Sequence, residues 1–165
     1  VGTRTTVLAN DGADLAAAIV TIEEIGDGGA FHEHVAHAFD GAKVAVQDSQ
    51  DGRFIVTMQM AGMRRPLSAF ELSDGTLRYL CLLAALLSPR SAPLLVLNEP
   101  ETSLHPNLLA ALVDPIVATA KRSQLLILTH AHPFADAIAT RTRSSRIELR
   151  RVSSATMIDS SDASR

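Results

Sequence analysis

Two short apolar runs, Leu94-Leu95-Val96-Leu97 and Leu125-Leu126-Ile127-Leu128, restrict this chain more than any other feature. Neither is broken by a polar side chain. Each is too short for a helix and lacks the alternation of a half-exposed strand, so each predicts a strand in a parallel sheet covered on both faces. Between them, Leu108 to Ala120 reads as a helix, with Pro115 inside it to kink or split it. Strand, helix and strand in that order make a right-handed βαβ unit. The expected fold class is α/β: a partly parallel sheet with flanking helices, plus a small β hairpin.

The hairpin comes from the N-terminal third. Asp14 to Glu24 places Leu15, Ile19 and Ile22 at helical spacing, with Asp11 or Asp14 as cap and Gly26-Asp27-Gly28-Gly29 as the stop. A second helix, from about Phe31 to Phe39, carries Phe31, Val35, Ala38 and Phe39 on one side. Lys43 to Gln47 and Arg53 to Met60 then read as strands, joined by the hairpin loop Asp48 to Gly52. Beyond Pro66, Leu77 to Leu87 is apolar nearly all round, which for a helix means burial on most sides. Ile147 to Ile158 predicts one or two further strands. The pattern divides the chain into a helical arm with hairpin (1–65), an α/β lobe (66–158) and a polar tail (159–165).

Composition narrows the function. With 165 residues, 47% of them hydrophobic, there is material for one core but not for two ordinary domains. A formal charge of −3 neither announces nor excludes a nucleic-acid partner, and the arginines at 141, 143, 146, 150 and 151 read more simply as a solvated tail than as a phosphate-contacting patch. Cys81 is the single cysteine and lies in an apolar run, so it reads as a buried, inert thiol. No apolar stretch approaches the ~18 residues of a membrane span and nothing resembles a secretory leader, so no membrane insertion and a cytoplasmic location are expected. A start at Val1 suggests a processed or truncated longer polypeptide.

The chemistry lies just past the two apolar runs. Leu97 is followed by Asn98-Glu99-Pro100-Glu101, and Leu128 by Thr129-His130. Side chains immediately beyond parallel-strand C-termini line the ligand crevice of α/β sheets, so a carboxylate and an imidazole at adjacent strand ends should lie close together. Upstream, Leu72-Ser73-Asp74-Gly75-Thr76 opens the long buried helix. Ser73 reads as an N-cap, and the same segment suits phosphate: free N–H groups, a hydroxyl, and a glycine allowing close approach. His32-Glu33-His34-Val35-Ala36-His37 lacks the spacing of a zinc protease, because Ala36 stands where the second histidine belongs. His34 and His37 share a helix face, where a solvated pair is the simpler reading than a metal site.

The fixed order of Leu72–Thr76, Leu94–Glu99, Ser103-Leu104-His105-Pro106 and Thr129-His130 resembles the C-terminal half of ABC-type ATPases. The resemblance is to the RecF/SMC-like branch, described as predicted AAA-family ATP-binding proteins. It is strong over about residues 65 to 135, and Asn-Glu-Pro-Glu-Thr-Ser-Leu-His-Pro is its most specific string. It implies that Leu72–Thr76 is the signature motif, Leu94–Glu99 the Walker B strand, Ser103–Pro106 the D-loop and His130 the switch histidine. It further implies ATP and Mg²⁺ as ligands, with Glu99 and His130 catalytic and Ser73, Asp74, Gly75, Asn98, Ser103 and His105 at the nucleotide. Two molecules would sandwich ATP head to tail as a homodimer, with DNA or an effector protein as further partner.

Three departures qualify the resemblance. Asn98 stands where the Walker B aspartate is usual, and would hold Mg²⁺ only through water and without a charge. Asp74 replaces the first glycine of the usual signature. The sequence contains no Gly-x-x-x-x-Gly-Lys-Ser/Thr: Lys43 and Lys121 are the only lysines, and neither fits. A P-loop would have to come from an N-terminal lobe, in the same gene or in trans. This chain alone is expected to be inactive, and a non-hydrolysing dimerisation module with the same fold is the alternative.

Overall fold

The computed structural model describes residues 14–48, 54–152 and 155–159. Helix α1, Leu15–Ile25, buries the expected stripe of Leu15, Ile19 and Ile22. The proposed cap Asp11 lies outside the described residues, as does most of the β-hairpin loop. Gly28 and Gly29 belong not to the stop after α1, where the sequence places them, but to the first turn of α2, Gly28–Ala38. The reason is the cap. The Asp27 carboxylate accepts a hydrogen bond from the Ala30 N–H at 2.8 Å, which offsets the poor helix propensity of two glycines.

Strands β1 (Lys43–Asp48) and β2 (Phe54–Gln59) form the expected antiparallel hairpin, paired from Lys43↔Gln59 to Asp48↔Phe54. A third strand, β3 (Leu67–Ser68), adds to the other edge of β2. Two residues carry no periodicity, so the sequence gives no sign of it. Helix α3 spans Asp74–Leu86 and is capped by Ser73, whose Oγ accepts from the Thr76 N–H at 3.2 Å.

The βαβ unit follows. Strands β4 (Leu94–Asn98) and β5 (Gln124–Leu128) pair directly and in parallel, from Leu94↔Gln124 to Asn98↔Leu128. Their connection is split into α4 (Pro106–Ala111) and α5 (Val113–Thr119). The break at Leu112 has its cause in Pro115, which has no N–H to donate back to the preceding turn. Helix α6 (His132–Ala139) follows β5, and β6 (Glu148–Val152) with β7 (Ala155–Asp159) closes the described chain as an antiparallel hairpin.

One hydrophobic core runs from Leu15 to Ile138, with α3 packed against α1, α2 and α5. Tyr79 is fully buried in it. Its ring meets Phe39 edge-on at 5.3 Å between centroids, and its hydroxyl donates to the His34 carbonyl at 3.3 Å. Thr119 shares its buried hydroxyl between the carbonyls of Leu86 and Pro115, tying α5 to the end of α3.

The expectation that both faces of β4 and β5 are covered is corrected. Leu97 is buried and Leu95, Leu125 and Ile127 pack against the core. The alternate side chains Leu94, Val96, Leu126 and Leu128 are 45–50% exposed. An unbroken apolar run shows that both faces are apolar; it does not show that the same polypeptide supplies both covers.

Candidate functional site

Because Asn98 is paired with Leu128, β4 and β5 end level, and the chain leaves both strands at one edge. The Glu99 N–H extends the ladder by donating to the Leu128 carbonyl at 2.8 Å. Glu99 then turns sharply, with φ of 45°. That left-handed conformation costs a non-glycine residue roughly 1–2 kcal/mol, so something must hold it. Two donors do: the Glu99 carbonyl accepts from the Thr102 N–H at 3.0 Å and from the Arg78 guanidinium of α3 at 2.8 Å. In this posture Glu99 Oε1 stands 3.4 Å from His130 Nε2, with the Glu99 side chain half exposed and His130 at 89% exposure.

A second contact joins the start of α3 to the same turn. A Cβ built on Gly75 would lie 2.5 Å from the Ser103 carbonyl oxygen, closer than real Cβ atoms come. Glycine is therefore required by close approach rather than by its own dihedral angles. Ser103 has φ of 63°, so the turn from Glu99 to Leu104 holds two left-handed residues and is fixed at both. Ser73 and Asp74 are exposed beside it. The Ser73 hydroxyl also lies 2.9 Å from Thr76 Oγ1. The N–H groups of Asp74 and Gly75 fall in the first helical turn, which supplies no acceptor of its own.

The remaining site candidates are less central. His105 is exposed and caps α4, its Nδ1 accepting from the Asn107 N–H at 3.3 Å. Asn98 lies in line with Leu94 and Val96 on the open sheet face.

Two residues with no role in the sequence reading prove to organise the site. Arg78, five positions after the Ser73 cap, carries α3's hold on Glu99. Glu101 is half-buried and accepts from the His130 N–H at 2.6 Å. Burial raises the Glu101 carboxyl. The N–H groups of Glu101, His130 and Ala131 and the Thr129 hydroxyl outweigh that and hold it below the ordinary carboxylate range. The only sequence signal was the two-residue spacing of Glu99 and Glu101.

Other clusters are engaged elsewhere. His32 Nε2 pairs with Glu23 Oε1 at 2.9 Å. Burial pushes the His34 imidazole down, toward its neutral form. Among the described residues no group of three or more His, Cys, Asp or Glu could hold a metal ion, and no helix is long and apolar enough to cross a membrane. Burial also raises the Cys81 thiol, consistent with an unreactive group. Arg141 pairs with Asp114 at 2.5 Å, and Arg146 with Asp136 at 2.6 Å, so part of the arginine cluster is neutralised in place.

The donor set has a definite chemical fit. Ser73, the first N–H groups of α3 and His130 can donate to phosphate oxygens, and Glu99 can accept a proton from water. The Asn98 and Glu99 oxygens could face a hydrated divalent cation. This suits the terminal-phosphate end of a nucleotide. The sequence contains no Gly-x-x-x-x-Gly-Lys-Ser/Thr segment to hold the rest of a triphosphate.

A family model described as "AAA domain, putative AbiEii toxin, Type IV TA system" matches residues 5–135. Among curated proteins, none matches the chain in sequence. Solved structures share its fold, that of the SMC ATPase head, a P-loop NTPase fold. One, from work on ATP-driven dimerization and DNA-stimulated activation of SMC ATPases, has a TM-score of 0.62 at 15% identity, over 86% of this chain and 83% of that one. The Pyrococcus furiosus Smc head with an extended coiled coil, bound to the C-terminal domain of ScpA, gives 0.65 at 16%, over 88% of this chain and 36% of that one. The Thermotoga maritima SMC head domain gives 0.56 at 16%, over 90% and 54%. The chain thus spans most of the first of these but only a third to a half of the other two.

Proposed function

This chain belongs to that family of AAA domains, and from that premise we propose that it is the C-terminal half of an ATPase that hydrolyses ATP at a head-to-tail dimer interface. The observation that carries the reading is the approach of Glu99 to His130, 3.4 Å apart beyond two directly paired parallel strands. Glu99 orients the attacking water and takes its proton, and His130 donates to the γ-phosphate. Ser73, with the N–H groups of Asp74 and Gly75, donates to the γ-phosphate held by the second subunit. Ser103 and His105 form the D-loop at that interface, and Asn98 occupies the Walker B position. Mg²⁺, when bound, supplies charge neutralisation at the phosphate oxygens, and Asn98 would hold it through water with an uncharged amide oxygen.

The P-loop comes from an N-terminal lobe, in the same gene or in trans. The apolar row of Leu94, Val96, Leu126 and Leu128 supports this, since about half of each side chain stands open on a strand type that is ordinarily covered. The dimerisation and DNA stimulation named for one structural relative, and the ScpA complex of another, suggest DNA or an effector protein as partner of the complete, cytoplasmic protein.

The test uses the complete protein with its P-loop. Glu99→Gln keeps shape and removes the base, so turnover should fall about 10²-fold or more while ATP binding persists. Ser73→Arg should inactivate its own homodimer, and mixing it with Glu99→Gln should restore activity through the one composite site with an intact Ser73 and an intact Glu99. A mixture shown to contain folded heterodimer yet inactive would remove the shared site. A wild-type protein that dimerises without turnover would leave a dimerisation module.

A further inference from the structure

We propose that Glu101 is a positioning residue for His130, its carboxylate setting where the imidazole stands relative to Glu99. The functional consequence rests on the ATPase reading above; the geometry does not. At 89% side-chain exposure, His130 gains little from packing, so its placement is inherited from its backbone. That backbone is held from across the crevice: the His130 N–H donates to Glu101 Oε1 at 2.6 Å, a bond to a carboxylate and so of the charge-assisted kind. Within its own loop the turn is braced by the Ala131 N–H, which donates to Thr129 Oγ1 at 3.0 Å.

The other end of the clamp is equally fixed. Glu101 lies two residues past Glu99 in the turn whose carbonyls are pinned by Thr102, Leu104 and Arg78, with Pro100 buried between the two carboxylates. Glu99 and the anchor of His130 therefore belong to one rigid turn. A shift of either loop moves the Glu99–His130 separation unless Glu101 holds them together. A cap for α6 alone would not need this carboxylate to come from the turn that carries Glu99.

Two measurements test this. In ¹H–¹⁵N spectra of the full chain, Glu101→Ala should move the His130 amide upfield and remove its exchange protection, while the amides of Phe134 to Ala139 keep theirs. Glu99→Gln should perturb the His130 ring resonances in the wild-type background but not alongside Glu101→Ala. In the complete protein with its P-loop, Glu101→Ala should lower kcat about 10-fold or more with KM for ATP within about two-fold, the loss expected for a misplaced group, and Glu101→Gln should recover part of it. An unmoved His130 amide, or ring shifts that respond to Glu99→Gln equally in both backgrounds, overturns the proposal whether or not the protein is an ATPase. If wild type does not turn over, the ATPase reading fails alone and the spectra still decide the clamp. If Glu101→Ala frees the amide but leaves kcat at wild-type level while His130→Ala abolishes it, Glu101 is only a cap.

Discussion

Replacing Gly75 by alanine places a methyl group 2.5 Å from the Ser103 carbonyl oxygen, and the turn must retreat about 0.5 Å before even the closest real approach is restored. The turn resists, because Ser103 is held at φ 63° and the next N–H, that of Leu104, donates to the Glu101 carbonyl at 3.0 Å. Forcing a methyl into such a site costs about 1–3 kcal/mol. Gly29 supplies the matched control. It is also the second residue of a helix, α2, and a Cβ there meets only Asp27 Oδ1 at 3.4 Å. Alanine should help there by up to about 0.5–1 kcal/mol through backbone entropy and helix propensity. The propensity gain is common to both sites and cancels in the comparison. Thermal unfolding should therefore separate Gly75→Ala from Gly29→Ala by 1–3 kcal/mol, roughly 2–12 °C for a chain of this size, with Gly75→Ala the less stable. Equal melting temperatures would refute the close approach of α3 to the turn after β4, and with it the coupling of those two segments.

The His34 imidazole lies below its ordinary value of 6.5 because burial disfavours the charged form, with His37 adding to the shift and Asp114, Glu33 and Asp27 opposing it. The unfolded chain then binds a proton that the folded chain refuses, so this contribution is complete above about pH 6.5 and is lost as pH falls toward the folded value. His34→Gln should flatten the fall in Tm between about pH 7.5 and pH 5, and parallel profiles would count against it. Thr119→Val removes the hydroxyl shared by Leu86 and Pro115 and should lower stability by about 1–2 kcal/mol, measurable in urea titrations, with Thr119→Ser near wild type. This chain alone should show no Tm shift with about millimolar ATP, since a stabilisation of RT ln(1 + [L]/Kd) needs the P-loop contacts it lacks; a saturable shift would place the phosphate site elsewhere.

Much of the architecture was written locally. The unbroken runs at Leu94–Leu97 and Leu125–Leu128 specify strands, and they do pair in parallel. Pro115 marks the broken connection because a missing N–H acts on its own turn wherever the helix packs. The Leu15, Ile19 and Ile22 stripe and the alternation of β1 are likewise patterns of one segment, readable without knowing its neighbours. The polar residues at the strand ends were legible for the same reason, since chain order alone puts Glu99 and His130 just beyond β4 and β5.

What the tertiary structure alone decided is how those residues are held. Arg78 reaches the Glu99 carbonyl across 21 positions of sequence, and Glu101 reaches the His130 amide across 29. Neither contact leaves a periodic trace, because hydrogen bonds between distant segments depend on packing rather than on neighbouring residue types. The Asp27 cap turned an apparent glycine stop into a helix start through one side-chain oxygen, which composition cannot reveal. The open row of Leu94, Val96, Leu126 and Leu128 is the clearest case. The sequence determined that both faces of these strands are apolar, since hydrophobicity belongs to the side chain; only the folded structure decided which face this chain covers, since burial belongs to the partner.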